Sequence, residues 1–173
     1  MFISFVNPYL TENLKFTKND TTLMYVVGGL CVALSSSYVG MQIDKIGKYK
    51  SFVILIILSF IPILAIAHLQ RGSLVLSLVL CAMLFVFSSG RMMAAMTLLT
   101  GAPTEQQRSK FLAIRSAIIE FSEGIAVSIG GLILSKNQVD GTIENYSILS
   151  YITVVVGILC IFLAKRVKIR EQD

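Results

Sequence analysis

The sequence predicts an all-α protein: a polytopic bundle of transmembrane helices with five full spans and a short N-terminal stub. Three observations point there. The chain of 173 residues is 55% hydrophobic and only 14% charged, where soluble domains carry about 25% charged residues. It holds five apolar runs near the ~20 residues that cross a ~30 Å hydrocarbon core. Most of its cations sit at the ends of those runs. Lipid offers no partners to backbone N–H and C=O groups, so such runs must close their hydrogen bonds internally, as helices.

The elements follow in order. Residues 1–10 form the stub: residues 1–6 are apolar, and Asn7-Pro8 is read as a stop, because proline restricts the residue before it. Six helical residues rise only about 9 Å. The stub is therefore expected to be the end of a span, in a chain shortened at its start or cut from something longer. No basic segment and no small-residue cleavage site mark it as a signal peptide. Residues 11–21 are expected to be an external loop. The spans are then 22–43, 51–69 with Pro62 bending it, 73–99, 111–135 and 148–164. Residues 22–164 make up the five-span bundle, and residues 165–173 a basic tail.

Charge orients the bundle. One set of loops holds Lys45, Lys48, Lys50, Arg108, Lys110, Lys165, Arg166, Lys168 and Arg170; the opposite set holds Lys15, Lys18, Arg71 and Lys136. By the positive-inside rule the first set is cytoplasmic. The turn at Asp44, the loop at Pro103 and the C-terminus then face the cytosol. The turn at His68, the loop 136–147 and residues 11–21 face outside.

Several function classes drop out. The net charge of +5 reflects this loop bias, since no basic patch is interleaved with aromatics to hold nucleic acid. Cys31, Cys81 and Cys160 lie inside apolar runs without metal-like spacing and read as inert thiols. With His68 as the sole histidine, a metal site is not expected, and no cofactor is implied. Hydrolase and phosphate-loop motifs are missing. The triplets Asn19-Asp-Thr21 and Asn145-Tyr-Ser147 read as chance matches to a glycosylation pattern. Gly124/Ser128 and Ala126/Gly130 are small-xxx-small pairs, expected to pack helices closely inside the bundle.

Between the first two runs lies Gly40-Met-Gln-Ile-Asp44-Lys45-Ile-Gly47-Lys48-Tyr-Lys50. Gly40 would admit a neighbouring helix, and Gly47 a tight bend. Asp44 could accept from the free N–H groups at a neighbouring helix N-terminus. Lys45, Lys48 and Lys50 would hold the turn in the cytosol, against acids or lipid phosphates. The stretch resembles the signature loop of the major facilitator superfamily, Gly-x-x-x-Asp-(Arg/Lys)-x-Gly-(Arg/Lys)-x-(Arg/Lys), and matches it at every fixed position. In that family the loop joins the second and third spans of each six-span half, on the cytoplasmic side, and its contacts stabilise one conformation of the carrier.

The resemblance covers nearly the whole chain and implies half of the major facilitator fold. The basic tail after the last run, and the lack of proline in 111–135 where the N-terminal half usually has a Gly-Pro pair, point to the C-terminal half. The region from Ser88-Ser89-Gly90-Arg91 to Gly130-Gly131 looks like the tenth and eleventh spans of bacterial drug- or sugar-efflux carriers. Implied with it are an integral place in a bacterial inner (plasma) membrane, a small-molecule substrate, a proton as coupling ion, and a partner: the missing N-terminal half or another carrier chain.

Four ionisable residues lie within spans: Arg91, Arg115, Glu120 and Glu123. Each is costly in lipid and should face the bundle, a cavity or a partner. Glu120 and Glu123 share a helix face, about 14 and 18 Å from the start of their run, at the depth where such carriers bind substrate and coupling ions. Two acids this close in a low dielectric suit a proton site. Arg91 is the candidate counter-ion, while Arg115 is close enough to the surface to snorkel. The expected function is transport of a small molecule by alternating access as part of a secondary, proton-coupled carrier. No enzymatic activity is expected. The alternative is a non-transporting membrane subunit or an inactive truncated fragment.

Overall fold

The computed structural model describes residues 2–69, 73–100, 107–137 and 140–166. The Pro103 loop, Arg71, Lys168 and Arg170 lie outside them. The described chain is mostly helical: α1 (Phe2–Glu12), α2 (Lys18–Ile46), α3 (Lys48–Ala67), α4 (Leu74–Thr100), α5 (Arg108–Ile133), the short strands β1 (Ser135–Lys136) and β2 (Ile143–Glu144), and α6 (Tyr146–Ala164). The five helices α2 to α6 are long and apolar enough to cross a membrane.

The stub differs most from expectation. The helix does not stop at Asn7-Pro8 but runs through Pro8 to Glu12. An interior proline costs about 3 kcal/mol. Ending the helix there would free several more backbone groups, each costing several kcal/mol in lipid. Continuing it buries Tyr9 and Leu10 on the same face as Phe2 and Val6. The Thr11 hydroxyl lies 3.1 Å from the carbonyls of Asn7 and Pro8, to which it donates. This short helix supplies four residues to the main hydrophobic cluster, beside Met24, Ile63, Ile66, Leu80, Cys81, Leu84, Tyr146 and Leu149. Tyr9 stacks on Tyr146 with ring centroids 4.0 Å apart.

The expected loop 11–21 shrinks to the few residues between α1 and α2. Thr17 begins α2 with a reciprocal cap: its hydroxyl accepts from the Asp20 N–H at 3.2 Å, and the Asp20 carboxylate accepts from the Thr17 N–H at 3.0 Å. That cap carries the helix back to Lys18, several residues before the apolar run.

Packing centres on α4, which lies against both α2 and α3; α3 also packs on α6. Contact between α2 and α4 needs Gly28, because a Cβ there would run into the Phe85 ring. Helix α5 stands apart: 6% of its most apolar stretch is buried in the chain, against 50% for α3. Of its small residues, Gly130 is buried and Ala126 half-buried, whereas Gly124, Ser128 and Gly131 do not pack as expected. An added Cβ at Gly124 or Gly131 would meet nothing within 4 Å, and the Ser128 hydroxyl donates to its own helix at Gly124 O, 2.9 Å away.

A hairpin tethers α5 at one end. The antiparallel pair β1–β2 occupies part of the loop expected at 136–147 and starts at Ser135, expected as the last residue of the span before it, with Ser135 opposite Glu144 and Lys136 opposite Ile143. It is bound to the end of α1. The Asn13 side chain donates to Ile143 O at 2.8 Å and accepts from Ile143 N–H at 2.7 Å, and Lys136 Nζ lies 3.0 Å from Glu12 Oε1.

Candidate functional site

At the opposite end from the hairpin, α2 and α3 meet at one residue. Gly47 ends α2 and begins α3 with φ 98° and ψ 144°, a conformation that L side chains rarely adopt. Its N–H donates to Ile43 O and its carbonyl accepts from Ser51 N–H, both at 3.0 Å. The charged turn is thus a joint rather than a loop. Asp44 and Lys45 sit on the last turn of α2, and Lys48 and Lys50 on the first turn of α3.

Helix dipoles favour cations at C-termini and anions at N-termini by about 0.3–1 kcal/mol each. Lys45 is well placed by that rule, whereas Asp44, Lys48 and Lys50 are not. Asp44 is exposed and bonds to no helix N-terminus among the described residues. Gly40 is not forced by packing within the chain: a Cβ there would lie 3.9 Å from Met93 Sδ, an ordinary contact.

The second candidate region is a cavity of about 270 Å³ inside the bundle. Phe2, Ile3 and Ser4 of α1 form one wall. Ile63 comes from α3, Leu84, Ser88 and Arg91 from α4, Glu123 from α5 and Thr153 from α6. Helical spacing puts Leu84, Ser88 and Arg91 on one side of α4. Arg91 lies about 14 Å along α4 from its Thr100 end at 1.5 Å per residue, well inside the span.

Arg91 and Glu123 therefore share a cavity but do not form an ion pair: among the described residues no contact within 4 Å joins them. Glu120 and Glu123 are both exposed, but only Glu123 lines the cavity; the two acids that helical spacing put on one face differ in that alone. Arg115 is half-buried, and its Nε is shielded from solvent without a hydrogen-bond partner.

Sequence reasoning did not select Ser88 or Thr153 as site residues. Ser88 Oγ is closed off from solvent with no partner. The Thr153 hydroxyl donates to Leu149 O at 2.8 Å, which leaves its lone pairs facing outward as acceptors. Thr153 is the one threonine on α6, beside Ile152 and three valines, and that was the available signal, weakened by the hydroxyls of Ser147, Ser150 and Tyr151 on the same helix. Ser88 had no comparable signal, since serines recur at helix contacts. Chemically, the cavity offers a guanidinium with five donors, a carboxylate and two hydroxyls within apolar walls. Among the described residues no group of three His, Cys, Asp or Glu side chains could hold a metal ion.

A family model for the Major Facilitator Superfamily matches residues 1–172. No curated protein and no solved structure matches the chain.

Proposed function

Because the chain belongs to the major facilitator superfamily, whose members are secondary carriers rather than enzymes, we propose that it moves a small polar molecule in exchange for a proton, with Arg91 and Glu123 as the coupling pair. Membership and the apolar helices make it an integral membrane protein with a small-molecule substrate. The finer reading rests on one observation: opposite charges from two separate helices line one cavity within the spans, and neither neutralises the other. Charges in such places are expensive unless used or paired.

In this reading the Gly47 joint faces the cytosol and works as a gating contact. Its dipole-mismatched charges, Asp44 on α2 and Lys48 and Lys50 on α3, are free to pair with a second set of helices. The cavity then alternates between the two sides as this bundle rocks against a complementary one. The partner is the other half of a carrier, or another carrier chain, and the direction is efflux. Glu120 lies outside the cavity and has no part in the coupling pair.

A second reading has its own support. The open Gly124, Ser128 and Gly131 face of α5 suits close approach by a foreign helix, as in a non-transporting subunit that binds a complete carrier. Vesicle flux separates the two. Vesicles holding the chain, alone or with a matching N-terminal half, are given a proton gradient and a mixture of labelled amino acids and sugars. Gradient-dependent flux is expected, with Asp44→Asn slowing it without blocking insertion. Flux from neither preparation would remove the carrier reading and leave the subunit.

A further inference from the structure

We infer that the Arg91–Glu123 cavity takes a small zwitterion, with the ligand's carboxylate on Arg91 and its ammonium on Glu123; the inference rests on reading this cavity as the transport site. Arg91 is half-buried and Glu123 exposed on α5, and both lie within apolar spans, where a charge without a partner is costly. An anionic ligand would satisfy Arg91 and crowd Glu123; a cationic one would do the reverse. A neutral polyol would offer each charge only weak neutral partners. A zwitterion matches both at once and enters the membrane with no net charge.

The remaining groups agree with that occupant. Arg91 presents a planar fork suited to a carboxylate. The Thr153 hydroxyl directs its O–H to Leu149 O, so toward the cavity it can only accept, as an ammonium requires. Ser88 Oγ, shielded and without a partner, can donate to the carboxylate from the same side of α4 as Arg91. The volume of about 270 Å³ sits at the small end of ligand pockets, which fits an amino-acid-sized molecule rather than a drug-sized one. Leu84, Ile63 and Phe2 supply an apolar wall for a hydrophobic side chain.

The test uses the full chain in phosphatidylcholine nanodiscs and a set of probes matched in shape: L-leucine, 4-methylpentanoate, 3-methylbutylamine, and glucose as the neutral polyol. Calorimetric titration and thermal unfolding are expected to show leucine binding tighter than each of the others by roughly tenfold or more, as expected when one partner of a charge pair is missing. Arg91→Gln and Glu123→Gln should each remove leucine's advantage, with helical content checked by circular dichroism; Ser128→Ala, outside the cavity, should keep it. Equal or tighter binding of a singly charged probe or of glucose overturns the inference, and so does a failure of all four probes to bind. Leucine binding without flux would leave the inference standing and remove the transport reading; flux of a sugar without leucine binding would do the opposite.

Discussion

Gly47 shows how one residue can set the relation between two spans. With φ at 98°, it lets α2 end and α3 begin without an intervening loop. Gly47→Ala should cost about 1–3 kcal/mol in backbone strain, seen as a lower midpoint in reversible unfolding in detergent micelles. Gly28→Ala should cost a similar ~1–3 kcal/mol by overpacking against Phe85, whereas Gly124→Ala should leave stability unchanged, because nothing lies within 4 Å of the new methyl. A drop for Gly124→Ala equal to that for Gly28→Ala would mean that α5 is packed more tightly than described. Arg91 and Glu123 were legible in the sequence because a charge in an apolar run stands out without any knowledge of its neighbours. That Glu123 reaches the cavity and Glu120 does not was not legible. Both occupy one helix face by spacing, and the choice depends on how α5 sits beside α4 and α6.

At the scale of elements, the five apolar runs correspond to five helices because lipid leaves the backbone no alternative. Their ends were less legible, because polar chemistry rather than hydrophobicity sets them. The reciprocal bonds between Thr17 and Asp20 start α2 early, and burial of Tyr9 and Leu10 carries α1 past Pro8. The hairpin was invisible for a related reason: Asn13 is distant in sequence from Ile143, whose backbone it holds. Its two bonds to partly buried backbone groups should outweigh the Glu12–Lys136 pair, whose side chains are 39% and 61% exposed. Asn13→Ala is expected to destabilise by about 1–3 kcal/mol and Glu12→Gln by at most about 1 kcal/mol. Equal losses in a thermal unfolding series, or a larger loss for Glu12→Gln, would contradict the assigned order of the two tethers.

Across the molecule, packing is uneven. A tight group of α1, α2, α3, α4 and α6 surrounds the core cluster, while α5 hangs from its hairpin and carries Glu123 into the cavity from a loosely held helix. Amide hydrogen exchange in nanodiscs should therefore be faster along α5 than along α3, whose apolar stretch is half buried in the chain; equal protection would show that α5 is held as firmly as the rest. Glu123, through the cavity it shares with Arg91, is proposed to link proton movement to substrate. The most direct measurement is proton-gradient-driven flux in vesicles holding the chain with a complementary half, comparing Glu123→Gln with Glu120→Gln. Glu123→Gln is expected to abolish the gradient-dependent component, while Glu120→Gln keeps most of it. Undiminished gradient-driven flux in the Glu123→Gln carrier would contradict the proposed link.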